Sequence, residues 1–63
     1  MTKARRVANE YLEHGYAAAC DLAIALGGSD YPLEGNDNGI MDYKFYFDDD
    51  SAIIIGAVDY TIL

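Results

Sequence analysis

Residues 39–63 read GIMDYKFYFDDDSAIIIGAVDYTIL, two runs dense in β-branched and aromatic residues on either side of Asp48-Asp49-Asp50-Ser51. Strand formers flanking a short polar cluster are the pattern of a β-hairpin. The runs carry most of the apolar bulk of the chain, so whatever else forms must cover them. The polar cluster carries three consecutive carboxylates.

A register follows if Asp48 to Ser51 form the tip and Phe47 pairs with Ala52. Phe45 then faces Ile54, Tyr43 faces Gly56 and Met41 faces Val58. Side chains alternate between faces along a strand. One face would hold Met41, Tyr43, Phe45, Phe47, Ala52, Ile54, Val58 and Tyr60, with no charge, and is the expected core side. The other would hold Ile40, Asp42, Lys44, Tyr46, Ile53, Ile55, Ala57 and Asp59. On that outer face Tyr46, Ile53 and Ile55 form an apolar group that needs a cover or a partner.

The segment before the hairpin has helical periodicity. Val7, Ala8, Tyr11, Leu12, Gly15, Ala18, Ala19, Leu22, Ala23 and Leu26 recur at spacings of three and four, the mark of an amphipathic helix. Thr2 is placed to cap its start, and Gly27-Gly28 to end it in a left-handed turn. One helix of this length, about 36 Å, matches a nine-residue strand of about 30 Å. Gly15 sits on the apolar stripe. The unbroken phase across it favours one helix over two, with the glycine admitting a bulky sheet side chain. Its outer face would carry Arg6, Glu10, Glu13 and Asp21, Arg6 pairing with Glu10 four residues on. The basic first turn opposes the helix dipole, so its bases are expected to meet acids elsewhere or water. Residues 27–38, GGSDYPLEGNDN, are rich in turn formers. Tyr31-Pro32-Leu33 is either an extended segment or a third strand, confined by its proline to an edge.

The expected fold is α+β: a single domain, residues 1–63, with one long N-terminal helix packed on a small antiparallel sheet made of the C-terminal hairpin, with or without that edge strand. A chain of 63 residues has one small core and buries only about 60% of its unfolded surface. The lone Cys20 allows no internal disulfide and fits a reducing compartment. The N-terminus lacks the apolar run of a signal peptide, and no run approaches the roughly 20 residues of a membrane span. The expectation is a soluble cytoplasmic protein without a membrane partner.

Motifs for chemistry are missing. His14 and Cys20 are the only histidine and cysteine, and on one helix they point to opposing sides, so they make no catalytic dyad. No zinc spacing, P-loop or dinucleotide fingerprint is present. Glu34 to Gly39 resembles the start of a calcium loop, but Phe45 stands where a bidentate Glu is required. No cofactor, metal or enzymatic activity is expected.

Charge is what remains. Eleven acids stand against four bases, a net of −7. Lys3, Arg5 and Arg6 lie in the first six residues. From Val7 onward the eleven acids face Lys44 alone, a net of −10 over 57 residues. Phosphate binding needs clustered lysine and arginine, so the chain itself is not expected to bind nucleic acid. Such a surface attracts basic proteins. The candidate contact residues are Asp30, Glu34 and Asp37 in the loop, Asp42, Tyr46 and Asp59 on the outer sheet face, and Asp48, Asp49 and Asp50 at the tip. Carboxylates around aromatic and apolar anchors are the make-up of a protein interface.

In size, charge and pattern over the whole chain, these acids, set among Tyr43, Tyr46 and Tyr60, resemble the small phage-encoded anti-CRISPR proteins that act as DNA mimics. No motif carries the resemblance. It implies a stoichiometric inhibitor, a monomer or weak homodimer, working in the bacterial host cytoplasm. Its partner would be a basic DNA-binding protein or complex, a Cas subunit of a type I surveillance complex, whose target DNA it blocks. The alternative is an acidic assembly module that forms a homodimer or subunit interface through the outer sheet face, its acids serving only solubility.

Overall fold

The structure, a computed structural model, describes residues 1–32 and 42–63. Leu33, Glu34, Asp37, Ile40, Met41 and most of the calcium-like loop lie outside them.

The α+β class holds, with two helices and a four-stranded antiparallel sheet. The elements run α1 (Lys3–His14), α2 (Tyr16–Ala25), β1 (Ser29–Pro32), β2 (Tyr43–Tyr46), β3 (Ala52–Ile55) and β4 (Tyr60–Ile62). The strands form a meander in the order β1-β2-β3-β4. The edge strand is present as β1, its Tyr31 opposite Lys44.

The single long helix is not observed. Gly15 takes φ 90° and ψ −171°, a conformation essentially reserved for glycine, and the helix breaks there. The expected nine-residue strand is also absent. After Ile55 the chain reverses at Gly56–Asp59, where the Gly56 N–H bonds to the Asp59 carbonyl at 2.8 Å, and β4 returns beside β3. The two differences share a cause. A four-residue strand spans about 13 Å, which α1 alone covers at about 18 Å. A continuous 36 Å helix would exceed the molecule's longest dimension of 32 Å. Breaking at Gly15 returns the second half of the stripe to the core, where Ala19 and Ala23 join Ala4, Val7 and Ala8.

Both helix ends match their sequence signals. The Thr2 hydroxyl accepts from the Arg5 N–H. At the far end Gly27 has φ 80°, its N–H bonds to Ile24 O, and the Gly28 N–H bonds back to Ala23 O. This pair of bonds is a Schellman motif.

The hairpin register differs from expectation by one residue. Tyr46 pairs with Ala52, Phe45 with Ile53 and Tyr43 with Ile55. Phe47 is not paired with Ala52; its N–H bonds to Ser51 O across the turn, and Asp50 takes φ 65°. Phe45 and Phe47 are buried as expected, but Ile53 and Ile55 are fully buried beside them. Ile54 lies opposite Lys44 on the outer face, and Val58 is 83% exposed in the turn. An outer apolar group of Tyr46, Ile53 and Ile55 therefore does not exist. The β3 run is apolar at every position, so its sequence prefers neither face; turn geometry decides. Among the described residues no helix is long and apolar enough to cross a membrane.

The register has a direct test. Removing one buried methyl group costs about 0.5–1.5 kcal/mol. Ile53→Val and Ile55→Val should each lower urea stability by that amount, and half-buried Ile54→Val by distinctly less. A larger loss at Ile54 would mean the other register.

Candidate partner-binding surface

The carboxylates expected to act as one surface fall into three places. The first is the hairpin tip, which sits on the N-terminus of α1. A helix leaves its first N–H groups without intrahelical partners. Here the Lys3 N–H donates to Asp49 Oδ2 at 2.8 Å, the Ala4 N–H to Ser51 Oγ at 3.1 Å, and the Arg5 N–H to Thr2 Oγ1 at 3.1 Å. Asp49 Oδ1 accepts from both the backbone N–H and the hydroxyl of Ser51. The Lys3 ammonium pairs with Asp48. The first turn of α1 contains no acid of its own, so the tip supplies the negative charge that the helix dipole favours there. Arg5 and Arg6 follow in the same turn, within about 5 Å along the axis and well inside the screening length of about 8–10 Å. Of these bases, Lys3 is the one that pairs with a tip carboxylate.

The second place is the opposite end of the sheet. The Tyr11 hydroxyl donates to Gly56 O at 2.6 Å, tying α1 to the β3–β4 turn. Burial, then the carboxylates of Asp59 and Asp42, push the Tyr11 hydroxyl above its usual value, which keeps it a donor. A Cβ on Gly56 would lie 3.2 Å from Asp42 Oδ1 and 3.2 Å from Asp59 O. Asp42 and the backbone of Asp59 thus flank Gly56 at this end, and both carboxylates act on Tyr11. Asp59 is exposed and Asp42 half-buried.

The third place is a groove of about 410 Å³ between α2 and the β1–β2 edge. Tyr16, Cys20, Asp21, Asp30, Tyr43 and Phe45 line it. Asp21 and Asp30 are exposed. Cys20 and Tyr16 share a hydrogen bond, yet burial outweighs it and raises the thiol above its ordinary value, so the sulfur is a neutral wall at pH 7. The break at Gly15 brings Asp21 here and divides the acidic helix line expected from Glu10, Glu13 and Asp21.

Tyr46 stands apart from all three, on the outer face of the sheet, which no described helix covers. Its ring packs edge-on against Tyr31 at 5.3 Å, with the Lys44 ammonium 4.8 Å above it. Tyr46 is 44% and Tyr31 54% exposed.

Glu10 pairs with His14 at 3.0 Å, not with Arg6. Glu10, Glu13 and His14 present ligand atoms within 4.8 Å of one another, with Glu10 half-buried and the other two exposed, and we read the set as a surface ion-pair group. Of the expected contact residues, Asp42 and Asp59 both lie near Tyr11, Asp48 to Asp50 remain a unit, and Asp30 gains Asp21. Glu34 and Asp37 lie outside the described residues. Sequence reasoning missed Lys3 and Ser51 as partners of the tip and Asp21 as a neighbour of Asp30. The one available signal was the basic first turn, which had to find acids somewhere.

Comparison with protein-family models, with characterised proteins and with solved structures returned no match. The site's chemistry rests on the geometry alone.

The cap makes stability depend on pH with a defined sign. The Ser51 hydroxyl first, then the Lys3 N–H, holds the Asp49 carboxyl at about 2, below its ordinary 3.8. A carboxyl depressed by folding contributes stability above its unfolded value and loses it as pH falls through the folded one. The native chain should melt above an Asp49→Ala variant at pH 6, with the gap closing between about pH 4 and pH 2. Melting curves followed by circular dichroism over that range check this, with Asp50→Asn as a control expected to track the native chain. A gap that does not change with pH would contradict the cap.

Proposed function

We propose that this chain is a non-enzymatic inhibitor of the DNA-mimic kind, which binds the basic nucleic-acid surface of a DNA-binding protein. The partner proposed is a subunit of a type I CRISPR surveillance complex, as its likeness to the small acidic anti-CRISPR proteins implies. One observation carries the reading: the charge is segregated. Lys3, Arg5 and Arg6 lie in the first turn of α1, at the tip end, where Lys3 pairs with Asp48. Lys44 stands over Tyr46 on the outer face. Asp42 and Asp59 lie at the other end of the sheet, near Tyr11, and Asp21 and Asp30 line the groove. No charged side chain is buried among the described residues, so the carboxylates stay at the surface where a basic partner meets them.

This moves the proposed contact. The tip is the densest acidic run in the sequence, but Asp49 serves the helix and Asp48 pairs with Lys3. The far end and the groove are the better surface for an arginine- and lysine-rich partner, with Asp42, Asp59, Asp21 and Asp30 as its contact residues.

A second reading, self-association, is favoured by the exposure of Tyr31 and Tyr46 on the outer sheet face. Apolar and aromatic contact tolerates salt, whereas charge-led binding is screened by it.

The test is fluorescence anisotropy of target duplex DNA with a purified type I surveillance complex and increasing amounts of this protein. Stoichiometric loss of DNA binding, relieved by salt, is expected. Removing two exposed carboxylates with Asp59→Asn and Asp21→Asn should raise the inhibitory concentration about tenfold, from about 0.7 kcal/mol per pair; Asp50→Asn should leave it unchanged. Full DNA binding at a large molar excess of the protein would overturn the proposal.

A further inference from the structure

The groove between α2 and the β1–β2 edge differs from the other acidic places. It is a groove with aromatic walls and two carboxylates along one opening. Its volume, about 410 Å³, falls in the range of about 300–1,000 Å³ typical of ligand clefts.

Each part of it has an origin in the fold. Ser29↔Tyr46 to Pro32↔Tyr43 pairing sets β1 at the sheet edge. Asp30 lies opposite Phe45, which places it on the face that the helices cover. The helix α2 packs on β3 through Ala19 and Ala23, and leaves the β1–β2 side open. Its Tyr16, Cys20 and Asp21 then stand over that side, facing Tyr43 and Phe45 across the opening. The floor is apolar: Phe45 is buried, and Cys20 is an uncharged thiol.

We infer that this groove is a recognition site for one arginine side chain of a partner protein, its guanidinium held between Asp21 and Asp30 and against the rings of Tyr16 and Tyr43. The inference rests on the partner being basic, as proposed above, and names the group by which it is read. Charge complementarity selects a cation, since among the described residues two carboxylates and no base line the groove. The aromatic walls select arginine over lysine. A guanidinium is planar, weakly hydrated and stacks on aromatic faces. It also donates from several N–H groups at once, which suits carboxylates on two sides. A lysine ammonium keeps its water more firmly and has no flat face to offer. The arginine stem finds Phe45 and Ile24 beside it, and Ile24 is 62% exposed in the free protein, an apolar contact that the stem would cover.

The test uses the whole protein, isotopically labelled, and two small probes: N-acetyl-arginine methylamide and its lysine counterpart. In NMR titrations the arginine probe should give saturable shifts at Tyr16, Ala17, Cys20, Asp21, Asp30 and Tyr43. The lysine probe should bind at least about threefold more weakly. Asp30→Asn should weaken the arginine probe about threefold or more, in line with one exposed charge pair. Ala17→Leu, which narrows the mouth from an exposed helix position, should abolish the groove shifts while leaving the spectrum folded. Glu13→Gln, on the far helix, should change nothing. Shifts scattered evenly over all acidic residues, equal response to both probes, or no saturation would overturn the inference. None of those outcomes touches the DNA-binding assay, and failure of that assay would not erase shifts confined to the groove.

Discussion

The contact on which the rest of this molecule depends is the seating of the α1 N-terminus on the hairpin tip. Lys3 and Ala4 offer backbone N–H groups that nothing within the helix satisfies. Asp49 and Ser51, more than 40 residues later in sequence, accept them. This fixes where α1 begins relative to the sheet. The Tyr11 bond to Gly56 O then fixes where it crosses the opposite end. Held at both ends, α1 lies along β3 and β4, and Val7 and Ala8 are pressed onto Ile53 and Ile55. A domain this small has little core to spare, so polar contacts at the two ends of one helix carry weight that a larger protein would assign to packing.

The same contact redistributes the charge. Three adjacent aspartates read, in isolation, as a surface held ready for a cationic partner. In the folded chain Asp48 pairs with Lys3 and Asp49 caps the start of α1. Self-repulsion within the tip is relieved by Lys3 and by the helix dipole, and the strong electrostatic asymmetry moves to the other side of the molecule.

Much of the architecture was legible residue by residue. Thr2 and Gly27-Gly28 bounded the helical region because caps are local chemistry. Pro32 marked an edge because it lacks an N–H. Phe45 and Phe47 pointed inward and Tyr46 and Lys44 outward because β2 alternates. What was not legible came from positions where the local signal is flat. The run Ala52 to Ile55 is apolar on both faces, so alternation offered no register, and a turn with Asp50 at positive φ set it. Gly15 lies on an unbroken apolar stripe. Only the short strands, themselves the product of a reversal at Gly56–Asp59, make a continuous helix too long for its sheet. The pairing of Asp21 with Asp30 follows from that break and was beyond reach while one helix was assumed.

The most direct measurement is the titration of the aspartate side-chain carboxyl carbons by NMR. If Asp49 closes the N-terminus of α1, its carboxyl should titrate with a midpoint of about 2, while accepting from Lys3 and Ser51 throughout. An Asp49 midpoint at the ordinary 3.8 would mean that the tip stands free of the helix, and would return all three of its carboxylates to the partner-facing surface.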